Sequence, residues 1–129
     1  MFSTKPVIRH IIHWMPPLLC AATIFWLSSL SSLPGLQLSI YDFFFKKIAH
    51  MIAYATLYLL TRRAILHSYP EIKSHDWRVW LLPLLICLFY AASDELHQSL
   101  IPNRTATVRD VIYDFLGMSM IFLRQNRYI

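Results

Sequence analysis

The sequence predicts an all-α protein, a polytopic transmembrane four-helix bundle, and three observations carry that reading. Hydrophobic residues make up 57% of the 129 positions and charged residues 15%, a balance too apolar for a soluble domain of this size, whose surface must be largely polar. The apolar residues fall into four runs, and the Lys and Arg residues gather in the short segments between them, as in membrane spans joined by loops. Against that background, residues 90–104 pass abruptly through two carboxylates, an imidazole, amides and a guanidinium group, with Arg109 and Asp110 just beyond.

The length suits a single domain over residues 1–129, with spans expected at about 14–32, 42–61, 78–97 and 108–124. The first follows a start carrying Lys5, Arg9, His10 and His13 and has Trp14 and Trp26 as interfacial anchors. Pro16 and Pro17 are expected in its first turn, where lost N–H groups cost least. A cleaved signal peptide is the rival reading, disfavoured because the run is long, rich in aromatics and followed by further spans. Leu33-Pro34-Gly35-Leu36 carries a type II turn signature, and Tyr41 and the Phe43-Phe44-Phe45 run suit an interface. The second run holds 14 residues between Lys47 and Arg62, the third 15 between Arg78 and Asp94, and the fourth 13 between Asp110 and Arg124 with Asp114 inside it. At about 1.5 Å per residue all three fall short of a ~30 Å hydrocarbon core.

Basic residues set the expected orientation. Lys5, Arg9, Arg62, Arg63, Lys73, Arg78, Arg124 and Arg127 collect on one side, against Lys46, Lys47, Arg104 and Arg109 on the other. Positive-inside places both termini and the loop after Arg62 in the cytoplasm. The net charge of +5 is thereby read as topology, and nucleic acid is not an expected partner. Cys20 and Cys87 lie inside apolar runs and read as buried thiols.

Arg side chains at the cytoplasmic ends can snorkel, whereas Asp94, Asp110 and Asp114 are too short to do so. The missing length therefore has to come from the outer ends, drawing Lys47, His50, Asp94, Glu95, Asp110 and Asp114 into the outer leaflet, where they must pair. Helical spacing puts Lys47, His50 and Tyr54 on one face, Asp94, His97 and Gln98 on a second, and Asp110, Asp114 and Gly117 on a third. Intramembrane ionisable residues mark function by default. Asp94 is expected within about 4 Å, or one water, of Lys47, Arg104 or Arg109.

Two chemistries suit these groups. In a catalytic scheme His97 or Glu95 is the base, Asp94 orients His97, and Lys47 with Arg104 stabilises charge developing on oxygen. In a binding scheme Lys47, His50, Gln98, Arg104, Arg109 and Asp110 hold an anionic ligand, the guanidinium forks gripping phosphate or carboxylate. A metal site built from His50, Asp94, His97 and Asp110 lacks any tight ligand motif, so neither metal nor cofactor is expected. The remaining alternative is that the polar residues only pair helices, Tyr54 among them as packing. His10, His13, His67 and His75, in end or loop segments, read as solvated.

The pattern Lys47-x-x-His50-x-x-x-Tyr54, then Ser93-Asp94-Glu95-x-His97-Gln98 with Pro102-x-Arg104, then Asp110 and Gly117, resembles the VanZ-like membrane proteins. The Ser28-Ser29 pair closing the first span is similar too. The resemblance runs from about Phe25 to Gly117. It implies a small multi-pass protein of the bacterial cytoplasmic membrane, working on a lipid or lipid-linked cell-envelope component, with a link to antibiotic resistance of the teicoplanin type. Two positions depart from the family pattern: Lys46 stands where Asp is common, and Asp114 where Asn is common. The first leaves Lys47 to find its counter-ion in Asp42 or Asp94; the second adds a negative charge.

Overall fold

A computed structural model describes residues 6–30, 40–102, 104 and 106–127, without the side chains of Pro6, Asp42 and Phe43. The expected turn at residues 33–36, the Phe43 part of the aromatic belt and the suggested Asp42 counter-ion lie outside the described residues. Four helices follow in order: α1 (Pro6–Ser28), α2 (Ile40–Ser68), α3 (Trp77–Ser99) and α4 (Val108–Gln125). The described residues are all-α, and the direction alternates, so the ends of α1 and α3 meet the starts of α2 and α4.

The helices are longer than the charge-free runs. Helix α2 has 29 residues, about 44 Å at 1.5 Å per residue; it continues through Lys46, Lys47, Arg62 and Arg63 instead of ending at them. Charges bounded the apolar run but not the helix, because Lys and Arg are good helix formers. Helix α1 likewise begins well before the expected span, so Pro16 and Pro17 lie inside it. The two prolines withdraw the N–H groups that would have bonded the carbonyls of Ile12 and His13, yet the helix carries on to Ser28.

Two helices, over Val7–Ser28 and Trp77–Ser99, are long and apolar enough to cross a membrane. Helices α2 and α4 are interrupted by their charged residues. Helix α3 starts on Asp76, whose carboxylate accepts the Arg78 backbone N–H at 2.9 Å and pairs with the Arg78 guanidinium at 2.6 Å. The pair holds the Asp76 carboxyl below the usual carboxylate range.

Helix α2 is the hub: it packs against α1, α3 and α4, while α1 and α4 do not touch among the described residues. Tyr54, Leu57 and Tyr58 of α2 form the core with Ile24, Cys87, Ala91 and Met118. Both cysteines are free, Cys87 buried and Cys20 half-buried. The contact with α4 is close because Gly117 has no side chain: a Cβ there would lie 2.4 Å from the Met51 carbonyl oxygen.

Burial is inverted relative to a water-soluble bundle. Leu18, Trp26 and Phe89 are 64%, 63% and 75% exposed, while Asp94 and Asp114 are 3% and 1% exposed. Glu95, Gln98 and Asp110 are buried with them.

Candidate functional site

The α2 face predicted from spacing meets a carboxylate at each step. Lys47 pairs with Asp110, His50 Nδ1 stands 3.6 Å from an Asp114 oxygen, and the Tyr54 hydroxyl donates to Asp94 Oδ2 at 3.2 Å. Positions i, i+3 and i+7 of one helix thus address α4 twice and α3 once. Among the described residues the counter-ion of Lys47 is Asp110 and not Asp94. It also accepts the Thr107 hydroxyl at 2.9 Å, which ties the first turn of α4 to this pair. Tyr54 is fully buried and is a hydrogen-bond donor as well as packing.

Asp94 is surrounded by neutral donors. Its Oδ2 accepts from Ser28 Oγ at 2.8 Å, Gln98 Nε2 at 3.0 Å and Tyr54. The expected direct contact with Lys47, Arg104 or Arg109 does not form. Arg104 acts one residue away: its Nη1 donates to Gln98 Oε1 at 2.8 Å, and Gln98 passes the contact on to Asp94. This fixes the Gln98 amide, oxygen toward Arg104 and nitrogen toward the carboxylate.

The rest of the Arg104 fork closes α1. Nε donates to the Leu30 carbonyl at 3.1 Å and Nη2 to the Leu27 carbonyl at 3.3 Å. The Leu27 carbonyl lies in the last turn of α1, where it also accepts the Leu30 N–H at 3.3 Å, and Leu30 stands just past the helix, so the cation faces the negative end of the helix dipole. The fork expected to clamp an external oxyanion is therefore turned largely onto the protein's own backbone. Arg109 is exposed on the first turn of α4.

His97 and Asp94 share a helix face by spacing, but they do not form a pair. His97 Nε2 lies 3.0 Å from Ser29 Oγ, and its ring stacks on Phe25 at 4.6 Å between centroids. Asp94 points to Ser28 and Tyr54 instead. Adjacent serines at the end of α1 thus serve two different α3 residues, a division that spacing within α3 could not reveal. Their position at the close of an apolar run was the available signal.

Glu95 faces the other way, toward Asp110, Asp114 and His50, the charged groups acting on it. It is 7% exposed. Among the described residues Asp94 Oδ1, Glu95 Oε2 and Asp114 Oδ1 are enclosed and have no hydrogen-bond partner. Asp94 and Glu95 thus each keep one acceptor unmet, a costly arrangement, while Asp114 Oδ1 faces the His50 imidazole beyond hydrogen-bond distance. No three His, Cys, Asp or Glu side chains among the described residues converge closely enough to hold a metal ion.

Fold and site together define a class: four helices among the described residues, with an apolar exterior and a carboxylate-rich polar cluster enclosed between α2, α3 and α4 and closed by the end of α1 against α3. The VanZ/LLP1 family model matches residues 3–124, nearly the whole chain, and the chain belongs to that family. No curated protein and no solved structure matches it.

Proposed function

We propose that the chain is a four-span protein of the bacterial cytoplasmic membrane, one domain with both termini cytoplasmic, and that its polar cluster at the outer face binds a lipid-linked cell-envelope component. The observation carrying this reading is the pair of enclosed carboxylate oxygens without hydrogen-bond partners on Asp94 and Glu95, beside Asp114, whose Oδ1 faces the His50 imidazole at 3.6 Å. Acceptors left unmet in an apolar surround call for donors from outside the chain. A ligand bearing hydroxyl or amino groups supplies them, and exposed Arg109, with the two Arg104 N–H groups not used among the described residues, suits a neighbouring anionic group. Sugar-bearing lipid phosphates combine both chemistries. The link to glycopeptide resistance that the family implies enters as a consequence of such binding.

The geometry favours binding over acid–base turnover through an Asp94–His97 unit, since that unit is not assembled. Catalysis centred on Glu95 remains a form of the same site, because that carboxylate is free to exchange a proton with a bound hydroxyl.

A second reading has its own observation. The hydrogen bonds that tie Asp94 to Ser28 of α1 and Tyr54 of α2, and the Lys47–Asp110 pair, cross between helices, so the cluster would serve as an interhelical lock alone. The test is lipid co-purification with mass-spectrometric identification, comparing the unaltered protein with Glu95→Gln and Asp114→Asn. Binding predicts that both variants reach the membrane at normal levels and lose an envelope lipid carried by the parent. Equal lipid content in all three supports the lock.

A further inference from the structure

At the opposite end of the bundle lies a second cluster, of cations and neutral donors among the described residues. His10 of α1 meets Tyr69 just beyond α2, ring centroids 5.3 Å apart, and His13 meets His67 at 5.1 Å. Arg9 and Arg63 are the guanidinium groups acting on His13, together with His67 and His10. His10 and His13 are half-buried on the α1–α2 seam, and His67 is exposed at its edge.

No carboxylate balances them from either helix: α1 contains none, and α2 contains none after Lys47. Of the acids in the following loop, Asp76 is engaged by Arg78, and Glu71 is exposed with Arg78 as its electrostatic neighbour. The first turn of α1 also lacks an acidic residue, so the positive end of its dipole adds to the same field. Two enclosed donors there have no partner among the described residues: Arg9 Nε, and the hydroxyl of Ser68, which is 1% exposed and follows His67 directly. The other face of α1 at this level is apolar, with Val7, Ile8, Ile11 and Ile12 at 66%, 47%, 59% and 53% exposure. Cations on the seam and exposed aliphatics beside them match a charged headgroup attached to acyl chains.

We infer that Arg9, His13, Arg63, His67 and Ser68 form a binding site for the phosphate of an anionic phospholipid in the leaflet at this end of the bundle. The phosphate oxygens accept from the two guanidinium groups, the His13 N–H and the Ser68 hydroxyl, with His67, whose Nδ1 donates to the Arg63 carbonyl at 2.8 Å, walling the site, while the chains lie along Val7 to Ile12. The site is separate from the carboxylate cluster and depends on α1 lying in a bilayer, which carbonate extraction of membranes checks independently.

The experiment uses the full chain in phosphatidylcholine nanodiscs with graded phosphatidylglycerol, reading the thermal midpoint. The expected result is a rise of about 5 °C with phosphatidylglycerol, mostly lost in Arg9→Gln/Arg63→Gln. The rise is kept in Lys73→Gln/Arg127→Gln, which removes the same formal charge from exposed positions outside the cluster. An equal loss in both double variants means diffuse attraction and overturns the site. Soluble glycerol phosphate reproducing the shift in pure phosphatidylcholine discs overturns the lipid as ligand. Should Arg9→Gln/Arg63→Gln fail to fold, His13→Gln/His67→Gln takes its place, and absence of any phosphatidylglycerol preference in the parent overturns the proposal by itself.

Discussion

Asp94 shows why the identity of a partner matters more than the presence of a charge. Its carboxylate is held by two hydroxyls and an amide, so its worth is a sum of neutral-to-anion hydrogen bonds. A double-mutant cycle with Tyr54→Phe and Asp94→Asn is expected to give a coupling of about 0.6 kcal/mol, the scale of interhelical hydrogen bonds in membrane proteins. The corresponding cycle for Asp94→Asn and His97→Gln is expected to be additive within about 0.5 kcal/mol, because His97 is bonded to Ser29 and stacked on Phe25 instead. Thermal or denaturant unfolding in detergent reads both cycles. Strong coupling between Asp94 and His97 would restore the dyad that helical spacing suggested. That suggestion was sound as far as it went: spacing places residues on a face of their own helix, but the rotation of α1 against α3 decides which serine each one meets. The same limit hid the Arg104 contacts, since backbone carbonyls at a helix end leave no mark in the sequence.

Helix α2 was legible where its pattern was periodic and misread where it was punctuated. Lys47, His50 and Tyr54 were placed on one face by their spacing, and they do line a single seam. Beyond the span expected at 42–61 the helix continues to Ser68, because the backbone has no reason to stop at Arg62. The contact between α2 and α4 rests on Gly117. Gly117→Ala places a methyl group against the Met51 carbonyl, where backbone and not a flexible side chain must move. A destabilisation of about 1–3 kcal/mol is expected, seen as a lowered midpoint, and Gly117→Leu is expected to prevent folding.

Arg104→Lys keeps the charge but loses the fork that spans Leu27, Leu30 and Gln98. Faster hydrogen exchange is expected in the last turn of α1 while α3 and α4 are unchanged. The cap of α3 carries a pH prediction. Because the folded Asp76 carboxyl lies below its ordinary value, held there by Arg78, its contribution is present above the unfolded pKa and is lost as pH falls through the folded one. Exchange protection at the start of α3 is therefore expected to persist at neutral pH and to weaken only in acid, and Asp76→Asn is expected to remove that acid dependence.

Considered whole, the chain separates its charges by end. Carboxylates gather where α3 ends and α4 begins; cations without carboxylates gather where α1 begins and α2 ends. A bilayer reading accounts for both this separation and the apolar exterior, with the cationic end cytoplasmic by the positive-inside bias. Composition and periodicity made the all-α fold legible in the sequence, and the bilayer orientation belongs to the proposal. The ligand was not legible, because unmet acceptors such as Glu95 Oε2 exist only once the helices are assembled.

The most direct test of the account is side-specific labelling of single cysteines with a membrane-impermeant thiol reagent on intact cells, in a background with Cys20 and Cys87 replaced. Ser99 and Ser74 are both exposed and flank α3 at its two ends. The account predicts that Ser99→Cys reacts from outside and Ser74→Cys only after the membrane is permeabilised. Labelling of Ser74→Cys from outside with Ser99→Cys protected would contradict the orientation, and labelling of both or neither from outside would contradict a membrane-spanning α3.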